Sequence, residues 1–157
     1  MKEYLDALEQ SLNKKLSLLK QIMEKSREQG ELLKTEDLTP EELDDNINEK
    51  AALIEELELL DNGFDRVYEN IRKEIDANRN RYKEEIRRLQ ELIRQVTALG
   101  TQIQTEEARN KEQAVKKFAT IRKQIKESRA SAQAVNKYYQ SMMKLNYVDP
   151  QFMDDKQ

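Results

Sequence analysis

The fold is decided by the stretch from Phe64 to Ile103, which reads FDRVYENIRKEIDANRNRYKEEIRRLQELIRQVTALGTQI. Apolar residues recur in it at steps of three or four, the spacing that places side chains on one face of a helix. The positions in phase are Phe64, Val67, Ile71, Ile75, Asn78, Tyr82, Ile86, Leu89, Ile93, Val96, Gly100 and Ile103. Such a face must pack against another helix, so the stretch predicts a bundle or coiled coil.

The composition of the whole chain points to the same class. Of 157 residues, 38% are charged, 37% are hydrophobic and 6% are aromatic, which suits one elongated bundle better than a thick core around an enzyme cleft. Only two prolines and three glycines interrupt a sequence rich in strong helix formers. We therefore expect an all-α protein without a sheet.

The residue types that carry most catalysis and metal binding are missing. The chain has no Cys and no His, which excludes disulfides, thiolate metal sites and the commonest general base. Carboxylates are numerous, but acids on solvated helix faces lack the desolvation that tunes a catalytic group. We expect no catalytic residue, no cofactor and no metal, and hence not an enzyme.

The N-terminus is charged and periodic from the start, unlike a signal peptide, and no apolar run is long enough to span a bilayer. A cytoplasmic protein without membrane insertion is the expectation.

Three helices are predicted, at about Lys2–Leu33, Pro40–Ala77 and Arg81–Ile103, with the third continuing further. The first carries a leucine-rich stripe of Leu5, Leu8, Leu12, Leu16, Leu19 and Met23. Thr39 and Glu42 have the spacing of a capping box around Pro40 at the first helical position. The triplet at 61–63 reads as a turn in isolation, yet the apolar phase continues through it, which favours the interior of helix 2.

Charge supports a reversal near residues 78–80. Residues 31–61 hold 12 acids and 2 bases, a net of −10, whereas residues 109–129 hold 8 bases and 2 acids, a net of +6. An antiparallel hairpin about that turn opposes residues whose numbers sum to about 158. It predicts that Glu41, Glu42 and Glu49 face Lys117, Lys116 and Arg109. The basic stretch 109–129 lacks interleaved exposed aromatics. We therefore expect it to pair with the acidic stretch 31–61 of the same chain rather than with nucleic acid.

After Ile103 the core face of the third helix becomes polar for about two turns. Glu107 and Asn110 occupy its repeat positions before Val115 and Phe118 restore apolar residues. A strict heptad then follows from Phe118 to Met142. We predict a helical bundle over 1–117, an amphipathic helical extension over 118–145 that projects beyond the bundle, and a flexible, non-helical tail over 146–157.

The projecting face is the candidate partner-binding site. It is formed by Phe118, Ile121, Ile125, Val135, Tyr139, Met142 and Leu145, and Tyr147 and Phe152 in the tail are added to it. An exposed apolar face of this kind invites association. A helical client, a second copy in a homodimer, or the bundle itself are all possible occupants. For the tail, docking on the bundle and a short linear motif are equally open.

Several of these patterns resemble the FlgN-type flagellar export chaperones. The resemblance rests on the leucines of helix 1, on Asn48-Glu49-Lys50 followed by Leu53-Ile54 and Leu57, and on Tyr138-Tyr139 ahead of Pro150-Gln151-Phe152-Met153-Asp154. It implies a protein that keeps hook-filament junction (hook-associated) proteins soluble in the cytoplasm and delivers them to the flagellar type III export apparatus, without catalysis. The alternative is a structural coiled-coil component, such as a stalk of the export machinery or a homodimeric spacer.

Overall fold

Three long α-helices form the part of the chain that the structure describes. The structure is a computed structural model that describes residues 1–117. Helix α1 spans Lys2–Lys34, α2 spans Pro40–Ala77 and α3 spans Lys83–Lys117, and no strand occurs between residues 1 and 117. At about 1.5 Å per residue, α2 alone is roughly 57 Å long, so the bundle is elongated. The predicted all-α three-helix bundle is confirmed.

Ion pairs and a hydrogen bond between helices give their directions. Glu9 pairs with Arg88, and Ser26 further along α1 meets Glu107 further along α3, so α1 and α3 run parallel. Lys15 pairs with Asp61, whereas Lys25 pairs with Glu49, so α2 runs antiparallel to α1. Helix α1 packs against both of the others, while α2 and α3 approach each other less closely.

Both predicted helix boundaries around α2 are confirmed. The Glu42 amide donates to Thr39 Oγ1 at 3.3 Å, and Glu42 Oε2 accepts from the Thr39 amide at 3.3 Å, which completes the capping box. At the other end, the Asn78 side chain donates to the Glu74 carbonyl at 3.0 Å, so the local bonding expected of this residue ends the helix. Residues 61–63 lie inside α2, as the continuous apolar phase predicted.

The apolar interior forms three successive clusters along the bundle. The turn core, beside the α2–α3 turn, consists of Leu5, Leu8, Leu12, Ile71, Ile75, Tyr82, Ile86, Leu89 and Ile93. The middle core consists of Leu18, Leu19, Ile22, Met23, Ile54, Leu57, Val96 and Ile103. Among residues 1–117, the end cluster, beside the α1–α2 loop, has three buried members, Leu33, Leu43 and Ala114, with half-buried Leu38 and Ile47 against it.

Three details of the predicted stripes are wrong. Leu16 is only half-buried, and Leu18, which the predicted stripe omitted, is buried in its place. Ala51, which the apolar repeat of helix 2 also predicted on the core face, is exposed, and Val115 is half-buried while Ala114 takes the core position. The reason is that a helix drifts by about 20° per heptad relative to a strict repeat, so neighbours on the edge of a wide apolar face exchange places.

Candidate partner-binding surface and the buried polar layer

The predicted partner-binding residues lie beyond the described part of the chain. Phe118, Ile121, Ile125, Val135, Tyr139, Met142, Leu145, Tyr147 and Phe152 all fall within 118–157, outside the described residues. The predicted boundaries of the extension and the tail fall there as well, and they stay predictions. What the structure describes is the bundle that leads to this segment, including the last turn of α3 before it.

That last turn is tied to the rest of the bundle. Lys117 donates from Nζ to the Thr35 carbonyl at the end of α1. One turn earlier, Ala114 is buried in the end cluster against Leu33 and Leu43. The described part of α3, which precedes the predicted partner-binding segment, therefore ends beside the α1–α2 loop.

The described surface offers little apolar area of its own. Among residues 1–117, two large hydrophobic side chains are exposed, Tyr4 with 49% and Leu59 with 71% of its area. Tyr4 lies near the start of α1 and Leu59 lies in the middle of α2, so the two do not form a stripe. The other large hydrophobic side chains of residues 1–117 are buried or half-buried.

Between the middle core and the end cluster lies a layer of buried polar side chains. It consists of Ser26, Gln29, Asn46, Lys50, Glu107 and Asn110, each at most 8% exposed. We call these six residues the polar layer. Glu107 and Asn110 are the polar repeat positions that the sequence placed on the core face of the third helix; that placement is confirmed, and both side chains are buried there.

A lysine–glutamate pair occupies the middle of the polar layer. Lys50 Nζ donates to Glu107 Oε1 at 2.6 Å, and both side chains are 3% exposed. The Lys50 ammonium also donates to Gln29 Oε1 at 2.8 Å, and the Ser26 hydroxyl donates to the same Glu107 oxygen. Burial lowers the pKa of Lys50, and the charge of Glu107 opposes that shift. The Lys50–Glu107 ion pair joins α2 to α3, and its hydrogen bonds with Gln29 and Ser26 join both of them to α1.

Amide side chains complete the polar layer against the backbone of α1. Asn110 donates to the Ser26 carbonyl at 2.7 Å and to Gln29 Oε1 at 3.1 Å. Asn46 donates to the Lys25 carbonyl at 2.9 Å, but its Oδ1 is buried without a hydrogen-bond partner among the described residues. These bonds are directional, so they fix the axial register of α2 and α3 on α1.

Gly30 makes room for this arrangement. A Cβ added at Gly30 would lie 3.0 Å from Asn110 Oδ1 and 3.4 Å from Glu106 Oε1. The close approach of α3 to α1 at this level therefore depends on a residue without a side chain.

The predicted charge pairing across α2 and α3 is wrong in its details. Glu49 pairs with Lys25 of α1, and Glu42 caps its own helix. Lys116 pairs with Glu112 and Arg109 with Glu106, both within α3. The predicted register is nevertheless met, because Lys50 and Glu107 sum to 157. An exposed charged side chain on a helix can pair with a residue one turn away in the same helix, whatever the register between the helices is. Such pairs therefore give no information about that register.

Most of the polar layer was missed from the sequence, although a signal existed. Ser26 follows Leu19 by seven residues, and Lys50 precedes Leu57 by seven, so both continue the apolar repeats of their helices. Lysine is seldom buried without a partner. Its partner, Glu107, is 57 positions away in the sequence, and only the predicted register links the two.

No group of His, Cys, Asp or Glu side chains that could hold a metal ion occurs within residues 1–117. None of the three described helices is long and apolar enough to cross a membrane.

Comparison with known proteins identifies a family. A family model described as FlgN protein matches residues 1–146, which is nearly the whole chain and includes all of the predicted extension over 118–145. No curated protein and no solved structure matches the chain.

Proposed function

Since the chain belongs to the FlgN family, and is therefore a flagellar export chaperone in general terms, we propose that its clients are hook-associated proteins. In this proposal it binds a helical segment of the hook-filament junction proteins in the cytoplasm and delivers them to the flagellar type III export apparatus. The family is one of chaperones and not of enzymes. The proposal concerns the client and the binding face.

The observation that carries the proposed binding face is that residues 1–117 have only two strongly exposed large apolar side chains. Tyr4 and Leu59 are isolated, and the other large apolar side chains of these helices pack inside or at the edge of the clusters. A client helix needs a stripe of apolar anchors at helical spacing. In this chain such a stripe remains in the heptad from Phe118 to Met142, and the family match extends through it.

The bound state follows from that arrangement. An amphipathic client helix packs on Phe118, Ile121 and Ile125 at one end of the stripe and on Tyr139 and Met142 at the other. Small residues between them, from Ser128 to Ala134, let the client backbone come close. The flexible thioethers of Met142 and Met143 adapt to different client side chains.

The test is a binding titration of the full-length chain against a purified hook-associated protein, followed by calorimetry. The variant Ile125→Asp with Tyr139→Ser removes two anchors and should weaken binding by at least about 100-fold, since two buried apolar anchors are worth roughly 3 kcal/mol or more. Its matched control is Lys126→Ser with Gln140→Ser, which changes neighbouring positions outside the stripe and should leave the affinity within about twofold.

A second arm uses the chain shortened after Lys117. Far-UV circular dichroism should show that it stays helical, and it should no longer bind the client. Unchanged affinity in this shortened chain would place the client site on α1 or α2 and overturn the proposed face.

The proposal includes a covered state before the client arrives, because a free apolar stripe favours self-association. A second copy or the chain's own bundle provides the cover. Sedimentation equilibrium of the free chain distinguishes these: a dimer that dissociates on client addition supports the chaperone proposal. A dimer that persists at saturating client would instead favour the structural coiled-coil component.

A further inference from the structure

The polar layer divides the bundle into two parts of very different apolar content. On one side of it lie the middle core and the turn core, with eight and nine buried apolar residues. On the other side lies the end cluster, which has three among residues 1–117, one of them an alanine. Within the described residues, the end of the bundle beyond the polar layer is therefore held by little hydrophobic burial.

The entry of water costs less free energy in the polar layer than it would in an apolar core. Lys50 and Glu107 are desolvated in the closed bundle, and their mutual attraction only partly compensates for this. Asn46 Oδ1 has no hydrogen-bond partner among the described residues, although Asn46 is only 1% exposed. Water admitted to the layer would solvate both charges and this oxygen.

Local unfolding that begins at the end cluster should therefore stop before it reaches the middle core. Lifting the end exposes few apolar groups and hydrates the polar layer, whereas the next step would expose Met23, Ile54 and Ile103 of the middle core. Local unfolding of proteins occurs in cooperative units that end where the opening free energy rises steeply. The boundary between the polar layer and the middle core is such a step.

We propose that residues 26–50 and 107–117 open as one cooperative unit while the turn core and the middle core stay folded. This opening frees the last turns of α3, which carry the segment that begins at Phe118, from the end of α1. The use of this opening in client binding rests on the proposed function; the opening itself does not. The structure thus assigns to the polar layer the role of a boundary inside the fold.

Native-state hydrogen exchange of the full-length chain, read by NMR or by mass spectrometry, tests the opening. Amides at 29–34, 44–50 and 108–117 should share one opening constant, roughly 100-fold or more larger than that of amides at 8–22, 57–75 and 89–103. Simple fraying would instead give protection that rises turn by turn in each helix. A graded rise, or equal protection on both sides of the polar layer, overturns the proposal.

The full-length double variant Lys50→Met with Glu107→Leu sharpens the test. It replaces the buried charges by apolar side chains of similar length, so that opening exposes apolar surface instead of hydrating ions. The end should then exchange at least about tenfold more slowly, approaching the middle core. The control, Lys25→Met with Glu49→Leu, removes an exposed lysine–glutamate pair between α1 and α2 beside the layer and should leave exchange of the end nearly unchanged. Two outcomes contradict the assignment. One is unchanged hydrogen exchange at the end of the bundle in Lys50→Met with Glu107→Leu, and the other is equal slowing of that exchange in both double variants.

A client titration of the wild-type chain, compared with its hydrogen exchange, separates this proposal from the proposed function. If the wild-type chain shows the exchange step but binds no hook-associated protein, the opening unit stands and the client assignment fails. If the wild type binds the client and shows no step, the client assignment stands and the opening unit fails.

Discussion

The middle core and the polar layer are built from successive turns of the same three helices, but different interactions hold them. In the middle core each side chain contributes mainly through the apolar area that it buries, so losses are graded. In the polar layer the side chains depend on each other, because removing one partner leaves a desolvated charge or amide behind. Substitutions in the middle core should therefore have nearly additive effects on the free energy of unfolding. Substitutions in the polar layer should have strongly non-additive effects on it.

The largest loss is expected from Leu57→Asp in the middle core. Leu57 is fully buried, and an aspartate there would be a buried charge without a partner. The cost should be at least about 4–5 kcal/mol, enough to unfold a bundle of ordinary stability. Far-UV circular dichroism and a thermal melt will show it.

The matched comparison is Leu16→Asp, one of the predicted core leucines. Since Leu16 is only half-buried, its aspartate can reach water, and we expect a loss of about 1–2 kcal/mol with the fold retained. A Leu57→Asp variant that melts close to the wild type would show that the helical register described above is wrong.

The next effect should come from Lys50→Met alone in the polar layer. It leaves Glu107 buried and without its cation, which should destabilise the bundle by about 3–5 kcal/mol. Adding Glu107→Leu should recover most of that loss, so the two changes should be far from additive in urea denaturation. Additive losses would mean that water already reaches the pair, and the contrast with the middle core would disappear.

The two glycines of α1 and α2 offer a smaller and more specific comparison. Gly63 lies in α2, where a Cβ would meet nothing within 4 Å, so Gly63→Ala should stabilise the protein by about 0.5–1 kcal/mol. Gly30→Ala gains the same helix propensity, but its Cβ would press on Asn110, whose amide is held by Ser26 and Gln29. We expect a net loss of about 1 kcal/mol there.

Thermal melts of the two glycine variants measure this contrast directly. A loss on Gly63→Ala would contradict its position in the interior of α2. A gain on Gly30→Ala would show that the polar layer can shift to admit a methyl group, and that its register is less fixed than the hydrogen bonds indicate.

Much of the fold could be predicted from the sequence because the decisive signals are local. Helical spacing, the capping box at Thr39 and the asparagines at the second turn each depend on a few neighbouring residues. The polar positions of α3 were also visible, since Glu107 and Asn110 interrupt an otherwise apolar repeat. These features gave the three helices, their order and the register of the hairpin.

The polar layer as a whole could not be predicted, because its members belong together only in three dimensions. Lys50 has the appearance of a solvated lysine until Glu107 and Gln29 are brought to it from two other helices. Exposed charge counts, by contrast, suggested pairs that did not form. Flexible surface side chains gain little from any one partner, so such pairs do not select a register.

The smallest predicted effect concerns Asp65, a carboxylate at the edge of the apolar part of the bundle. Partial burial raises the pKa of Asp65, and the neighbouring charge of Asp61 adds to the shift while Lys15 opposes it. Asp65→Asn should therefore stabilise the protein at pH 7, by no more than about 0.5 kcal/mol because the side chain is largely exposed. The control is Glu55→Gln, an exposed acid of the same helix, for which we expect no comparable gain.

The pH dependence of this gain shows whether it comes from the charge of Asp65. With a folded-state pKa above 3.8, the folded protein binds more protons than the unfolded chain just above that pH. The contribution of Asp65 to the free energy of unfolding therefore falls as pH rises through this window. Its cost is complete at neutral pH and absent once the carboxyl is protonated in both states. Thermal melts between pH 7 and pH 3 should show the advantage of Asp65→Asn disappearing as the pH falls. A gain of the same size at both ends of the range would instead assign it to the amide itself, and Asp65 would no longer be an electrostatic exception within the apolar part of the bundle.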